Sequence, residues 1–354
     1  MLRAIVFAKS FWIEVGCPWY NMVHHPASQL PLRSYLMSWS AVRLVVYYFL
    51  LYFFTVVYNI ANKRVLNAIP LPATVAVVQL FLGIPLFLPL WFMKPPGNLL
   101  QGLSPVPLMQ VSVAHALGNL ATIYSLGSGS VSFTHVVKSA EPVFSAVLTG
   151  LIMRSVLAPQ VYLSLLPIVI GVAMASATEL TFSWFGFTTA MISNLFYQLR
   201  IVRSKQLITG SNSSNNGNMI GAESKISGSN LFRLITIIAA FFLLPIALFL
   251  EGDMILPVWR AAEADPTVGW SLFGDILVSG VAYYLYNEIA FWILDLVHPV
   301  THAVGNTIKR VVLIVASVLV FRVPITLQGA TGSAIAIAGS LLYGLASHKY
   351  SSKA

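Results

Sequence analysis

Residues 231–250 read Leu-Phe-Arg-Leu-Ile-Thr-Ile-Ile-Ala-Ala-Phe-Phe-Leu-Leu-Pro-Ile-Ala-Leu-Phe-Leu, an apolar run broken by one charge, Arg233. A helix of about 20 residues is long enough to cross the hydrocarbon core of a bilayer. Runs of this kind recur along the chain. Of its 354 residues, 57% are hydrophobic and 9% charged, and the mean hydropathy is +0.81. A soluble domain carries roughly a quarter charged residues, so a water-facing surface cannot be made from this chain. In hydrocarbon every backbone N–H and C=O must be paired internally, which leaves helices or a closed barrel. Barrel strands would show short alternating segments. These runs are continuous, and the expected fold class is an all-α integral membrane protein.

Ten spans are expected, over 42–62, 71–93, 105–126, 130–151, 158–177, 183–205, 231–250, 271–294, 299–320 and 324–346. Gly127-Ser128-Gly129-Ser130 is the break between the third and fourth and reads as a tight turn. Residues 209–230 are hydrophilic and of low complexity, as suits a flexible linker between two halves. The expected organisation is a leader over 1–41, a first five-helix half over 42–208, the linker over 209–230, a second half over 231–347 and a tail over 348–354. Asn212-Ser213-Ser214 matches a glycosylation sequon but reads as linker composition. The single cysteine, Cys17, allows no internal disulfide, and no Cys/His spacing suggests zinc.

The net charge of +9 is not a nucleic-acid stripe, because most basic residues sit in loops and report topology. Thirteen of the 20 Lys and Arg, among them Arg200, Arg203 and Arg233 beside the linker, fall on the side shared by both termini. Four, Lys63, Arg64, Arg260 and Arg322, fall on the other. Lys and Arg favour the non-translocated side, and shared termini require an even number of spans. The halves also echo each other, with Thr134-His135 at the start of the fourth span and Thr301-His302 at the start of the ninth. Five helices per half then make an inverted repeat, the arrangement of many secondary transporters, with substrate held near the midplane.

Three cations lie inside spans: Lys138 in the fourth, Lys309 and Arg310 in the ninth. Each costs about 2.5–3.5 kcal/mol at a helix centre, and by default such groups mark a ligand path. Internal pairing is the alternative. Glu141 lies three residues from Lys138, within easy reach, and Glu288 in the eighth span could reach the ninth. Two carboxylates against three cations still leave a net positive charge. A guanidinium fork and two compact ammonium groups make a clamp for a dianionic phosphoryl group. Unliganded, the cations repel one another at low dielectric. A carrier that can isomerise only when loaded is an obligate antiporter.

Val131-Ser-Phe-Thr-His-Val-Val-Lys-Ser-Ala-Glu-Pro142 and Pro299-Val-Thr-His-Ala-Val-Gly-Asn-Thr-Ile-Lys-Arg310 closely resemble the signature stretches of the plastid phosphate translocators. That family belongs to the drug/metabolite transporter superfamily. Val57-Tyr-Asn-Ile-Ala-Asn-Lys63, His115-Ala-Leu-Gly-Asn119 and Tyr283-Tyr-Leu-Tyr-Asn287 extend the match over roughly 42–346. The resemblance implies ten helices in two inverted halves and exchange of inorganic phosphate for triose phosphate, 3-phosphoglycerate or phosphoenolpyruvate. It implies that Lys138, Lys309 and Arg310 hold the phosphate, and that Asn119, Thr122 and Tyr286 meet the rest of the substrate. Thr122 and Tyr286 fit the triose-phosphate pattern, while Asn119 resembles the phosphoenolpyruvate carriers. The plainer readings are an interhelical hydrogen bond for Asn119, ring packing for Tyr286, and a bond from Thr122 to its own helix.

His135 and His302 lack the ligand count of a metal site and are expected to hydrogen-bond backbone or to support the clamp lysine, with Glu141 and Glu288 as further support. No cofactor, metal or nucleic-acid partner is implied; the expected partners are phosphate, phosphorylated three-carbon metabolites and lipid. Gly332, Ala336 and Ser340, four apart, suit a close helix contact, either within the fold or with another protomer. The leader lacks the character of a transit or signal peptide. That suits a membrane of a complex plastid such as an apicoplast, with Golgi or endoplasmic reticulum as the alternative. A nucleotide-sugar carrier is the main rival. A membrane phosphotransferase would need a nucleophile with a base or a metal, and no such constellation is recognisable; a proton-coupled symporter would use Glu141 or Glu288.

Overall fold

Prolines, glycines and serines divide this apolar chain into helices, and polar side chains from neighbouring helices occupy the ends. The structure, a computed structural model, describes residues 32–93, 105–153, 157–209, 226–263, 266–297, 299–322 and 325–351. Every regular element among them is an α-helix. In order these are α1 (Leu32–Ala68), α2 (Pro72–Met93), α3 (Pro105–Ser128), α4 (Val131–Lys138), α5 (Glu141–Met153) and α6 (Pro159–Leu163). There follow α7 (Leu165–Ala177), α8 (Trp184–Thr209), α9 (Gly228–Glu263), α10 (Pro266–Leu296), α11 (Pro299–Phe321) and α12 (Leu327–Ser351). The chain divides into a unit ending at Leu50, which holds the first turns of α1, and a unit over Leu51–Ala354, which holds everything described below. Cys17, the sequon and residues 210–225 of the linker lie outside the described residues.

Seven helical stretches among the described residues are long and apolar enough to cross a membrane: most of α1, α2, α3, α6 joined with α7, α9, α10 and α12. The expected spans over 130–151, 183–205 and 299–320 are not among them. The first of these is broken into α4 and α5, of 8 and 13 residues, and the three together carry Lys138, Arg200, Lys309 and Arg310. Helix boundaries also differ from the expected spans, since α1 starts at Leu32 rather than 42 and α9 runs on to Glu263. A helix continues past its apolar stretch wherever the following residues still propagate it.

The turn at Gly127–Ser130 is present. Ser130 caps α4, its hydroxyl accepting from the Phe133 N–H at 3.1 Å. The C-terminal carbonyls beside this turn are held by Lys63 of α1, whose ammonium donates to the Leu126 and Gly129 oxygens, each at 2.8 Å. A cation there also suits the negative end of the α3 dipole. The complementary arrangement holds α2. The buried Glu251 carboxylate of α9 accepts from the Ala73 N–H at 2.8 Å and the Thr74 N–H at 2.7 Å, occupying the positive N-terminus.

Around these ties α2, α9 and α10 bury Ala76, Leu80, Ala239, Leu243 and Tyr283 in one apolar cluster. The expected small-residue contact of α12 is internal to the fold. A Cβ on Gly332 would stand 2.7 Å from the Ala175 nitrogen, and one on Gly171 2.5 Å from the Gly332 oxygen. The α7 and α12 backbones therefore touch, and Ser340 in the same row donates to the Ser139 oxygen at 2.8 Å.

Replacing Gly171 by Val should force these backbones apart and cost about 2 kcal/mol or more, as overpacking does. The melting temperature in detergent should fall by several degrees. Gly150→Val, at a position with nothing within 4 Å of a Cβ, is the control, and equal melting temperatures would contradict the packing.

Candidate functional site

The break between α4 and α5 originates in Pro142. Proline has no N–H and cannot continue the i→i−4 ladder, so α4 ends at Lys138 and α5 starts at Glu141. The turn between is tight, with the Ser139 N–H donating to the Val136 oxygen at 3.0 Å and the Ala140 N–H to the Val137 oxygen at 3.1 Å. Carbonyls released by the break find side-chain partners: Asn194 of α8 donates to Val137 at 3.0 Å, and Ser340 takes the Ser139 oxygen. Unwound backbone at membrane depth is tolerated where protein satisfies it in this way.

The break places Lys138 on the wall of a cavity of about 100 Å³. Its ammonium donates to the Ser193 hydroxyl at 2.6 Å and the Thr122 hydroxyl at 3.2 Å, and it lies 4.5 Å from the centre of the Tyr197 ring. From α11, Lys309 and Arg310 reach the same cavity although they are adjacent in sequence. Arg310 pairs with Glu141 at 2.5 Å. Lys309 has no ion pair among the described residues. Arg200 of α8 also lines the cavity. One of its terminal nitrogens donates to His115 Nδ1 at 3.1 Å and to Asn287 Oδ1 at 3.4 Å, and its guanidinium carbon is 4.9 Å from the Tyr197 ring centre. Tyr58, Asn59, His135 and Tyr286 complete the polar wall.

Four basic side chains and one carboxylate thus face one small space. At interior dielectric values this field attracts an anion strongly. Hydroxyls, a planar fork and ammonium groups are the donor set that phosphate oxygens take. Among the described residues no group of three or more His, Cys, Asp or Glu could hold a metal ion.

Residues 42–344 match the Triose-phosphate Transporter family. The chain belongs to this family. Its members are transporters, not enzymes. Among relatives, the chain is 38% identical over 311 residues to a chloroplast xylulose 5-phosphate/phosphate translocator of Arabidopsis thaliana, covering 88% of this chain and 72% of the relative. It is 39% identical to a triose phosphate/phosphate translocator of non-green plastids from Brassica oleracea var. botrytis, covering 82% and 70%. It is 38% identical to phosphoenolpyruvate/phosphate translocator 1 of Oryza sativa subsp. japonica, covering 82% and 69%. A solved crystal structure at 11% identity superposes with a TM-score of 0.52 over 87% of this chain and 98% of its own, a likeness of fold.

Several expected partnerships differ in this family member. Glu141 pairs with Arg310 rather than with Lys138, because the turn at Ser139–Ala140 removes the shared helical face on which the closer pairing rested. Glu288 does not reach α11. It pairs with Arg233 of α9 at 2.9 Å and accepts from the Tyr284 hydroxyl and the Trp292 ring nitrogen. His135 bonds the Asn59 side chain at 2.8 Å rather than backbone. His302 lies in α11, its side chain outside what the structure describes.

Thr122 combines both readings, since its hydroxyl donates to the Gly118 oxygen at 2.8 Å while accepting from Lys138. Tyr286 does likewise, lining the cavity while packing 5.3 Å from Tyr58. Asn119 does not line the cavity. It is fully buried, and neither end of its amide has a partner among the described residues.

Arg200 was read as a topology charge beside the linker, and its place on the cavity was missed. The available signal was its position within the expected span over 183–205, three residues after Tyr197. Arg233, read the same way, is spoken for by Glu288.

Removing one partner of a buried pair costs about 3–5 kcal/mol, because the other charge is left uncompensated. Glu141→Gln should lower the melting temperature, and inorganic phosphate should restore more of it than it adds to the wild type. Equal phosphate-induced shifts in the two proteins would show that Arg310 does not face the bound anion.

Proposed function

We propose that this chain exchanges inorganic phosphate for phosphorylated three-carbon compounds, triose phosphate, 3-phosphoglycerate and phosphoenolpyruvate, across a plastid membrane. The observation that carries the reading is the meeting of Lys138, Lys309 and Arg310 at one cavity with a single carboxylate among them. In it these three hold the phosphoryl group. Arg200 takes the acidic or carbonyl end of the substrate, and Thr122 and Tyr286 contact its carbon chain. Asn119 tunes the choice of substrate from behind Thr122, where its unpartnered amide can reorganise. His135 orients Asn59 at the cavity wall.

The reading includes ten membrane passages in two inverted halves joined by the 209–230 linker. The pairing of helices supports it. α2 packs on α3 and α10, and α9 packs on α10 and α3, so exchanging the halves returns the same set. α7 against α12 and α4 against α11 are each their own counterparts. The pairs that involve α1 and α8 are unequal: α3 lies closely along α8, whereas α10 meets α1 through the Tyr58 ring, 5.3 Å from Tyr283. Alternating access requires such an inequality between equivalent pairs.

Exchange rather than net transport follows from charge. An empty cavity with surplus cations is costly to seal at low dielectric, and a bound dianion removes that cost. A nucleotide-sugar carrier is the second reading within the superfamily. The cavity, about 100 Å³, has room for a compact anion, at about 10–15 Å³ per water-sized occupant, and is small for a nucleoside. A plastid setting is proposed because the relatives are translocators of chloroplasts and non-green plastids; the more specific assignment to a complex-plastid membrane rested on residues 1–41, of which 1–31 lie outside the described residues.

In proteoliposomes, labelled phosphate should exchange against internal 3-phosphoglycerate, triose phosphate or phosphoenolpyruvate. Vesicles lacking internal counter-substrate should take up phosphate far more slowly. Lys138→Ala, Lys309→Ala and Arg310→Ala should each abolish exchange, by at least ~100-fold for a lost charge-assisted contact in a dry site, while the proteins remain monodisperse. Uptake into empty vesicles as fast as exchange would overturn the antiport reading, and inhibition by nucleotide sugars alone would favour the second one.

A further inference from the structure

His115 is fully buried in α3, one turn before Asn119, and does not line the cavity. Both ring nitrogens are engaged. Nδ1 lies 3.1 Å from the Arg200 guanidinium, and Nε2 lies 3.1 Å from the Tyr283 hydroxyl. A guanidinium only donates, so Nδ1 must be the acceptor and the ring hydrogen sits on Nε2, which donates to Tyr283. Asn287 adds a second acceptor at 3.4 Å, and its own amide is oriented because its nitrogen donates to the Tyr283 oxygen at 3.0 Å. The remaining side-chain nitrogen of the Arg200 stem, Nε, has no partner among the described residues. Arg200 is thus gripped through one terminal nitrogen.

We infer that His115 is a positioning residue: its neutral ring, bonded on one side to Tyr283, fixes the Arg200 guanidinium for the substrate end remote from the phosphoryl group. This rests on the exchange reading above and adds to it a group that never touches substrate. The geometry explains why histidine stands here. The position needs an acceptor toward α8 and a donor toward α10 at opposite ends of one rigid plane. Tyr283 holds that plane, with its ring tilted 31° from the imidazole at 6.2 Å between centres. A long flexible amide could supply the same two groups only at the cost of side-chain entropy.

The test compares two exchange modes in proteoliposomes, phosphate against phosphate and phosphate against 3-phosphoglycerate. His115→Leu should raise the apparent KM for 3-phosphoglycerate at least about tenfold, the loss of one hydrogen bond to a charged group, and change that for phosphate far less. His115→Asn places Oδ1 where Nδ1 stands and should restore most of the 3-phosphoglycerate KM, although it cannot reach Tyr283. Phosphate exchange in the same vesicles reports that each variant is folded. Equal rises in both KM values, an unchanged 3-phosphoglycerate KM in His115→Leu, or an Asn variant no better than Leu would each overturn the inference. Failure of the wild type to exchange phosphate would instead strike the transport reading. An Arg200→Gln variant with an unchanged 3-phosphoglycerate KM would remove the premise that Arg200 meets substrate.

Discussion

A charge that cannot reach bulk water must be compensated locally, and most of the polar architecture of this chain answers that requirement. Arg233 is neutralised by Glu288 and Arg310 by Glu141, while Lys63 donates to the Leu126 and Gly129 carbonyls at the end of α3. Lys138 is solvated by two hydroxyls and an aromatic face. Arg200 leans on an imidazole, an amide and two rings. These solutions differ in one respect. A carboxylate cancels charge, whereas hydroxyls, imidazole and π-faces only lower the cost of keeping it. Three cations without a carboxylate partner among the described residues, Lys138, Arg200 and Lys309, line the cavity beside the paired Arg310.

The same distinction separates structure from site along the backbone. Where Glu251 occupies the start of α2 and Lys63 the end of α3, helix ends are matched by opposite charge and are fixed. At the α4–α5 break the released carbonyls meet neutral partners, Asn194 and Ser340, and the flanking charged residues Lys138 and Glu141 turn to different partners. Pro142 therefore does two things. It interrupts the ladder, and it separates a lysine from the acid that would otherwise have silenced it on the same helix.

Much of this was legible in the sequence, for a physical reason. Hydrophobic runs determine where helices lie, and cations inside such runs are costly enough to announce a site, so Lys138, Lys309 and Arg310 could be named together. Pairings could not. Whether Glu141 meets Lys138 or Arg310 depends on a two-residue turn whose geometry a helical wheel does not contain, and Glu288 was given a partner on the wrong helix because Arg233 was counted as a loop charge. Arg200 was misread in the same way: although it lies inside the expected span over 183–205, its nearness to the linker had it counted as a topology charge. The three expected spans that are not among the membrane-length apolar helices, over 130–151, 183–205 and 299–320, carry Lys138, Arg200, Lys309 and Arg310.

The contacts around the cavity have a further property in common. Glu141 of α5 reaches Arg310 of α11, Lys138 of α4 reaches Ser193 of α8, and His115 of α3 reaches Arg200 of α8 and Tyr283 of α10. Each joins an early helix to a late one through groups that, in the exchange proposed above, are also ligand donors or their immediate supports. Under that proposal an anion entering this space competes with Glu141 for Arg310 and adds to the load on Lys138, so binding redistributes bonds that hold the early helices to the late ones. In such an arrangement recognition and rearrangement share the same few hydrogen bonds. Occupancy is then felt directly by the helix packing, without a separate relay.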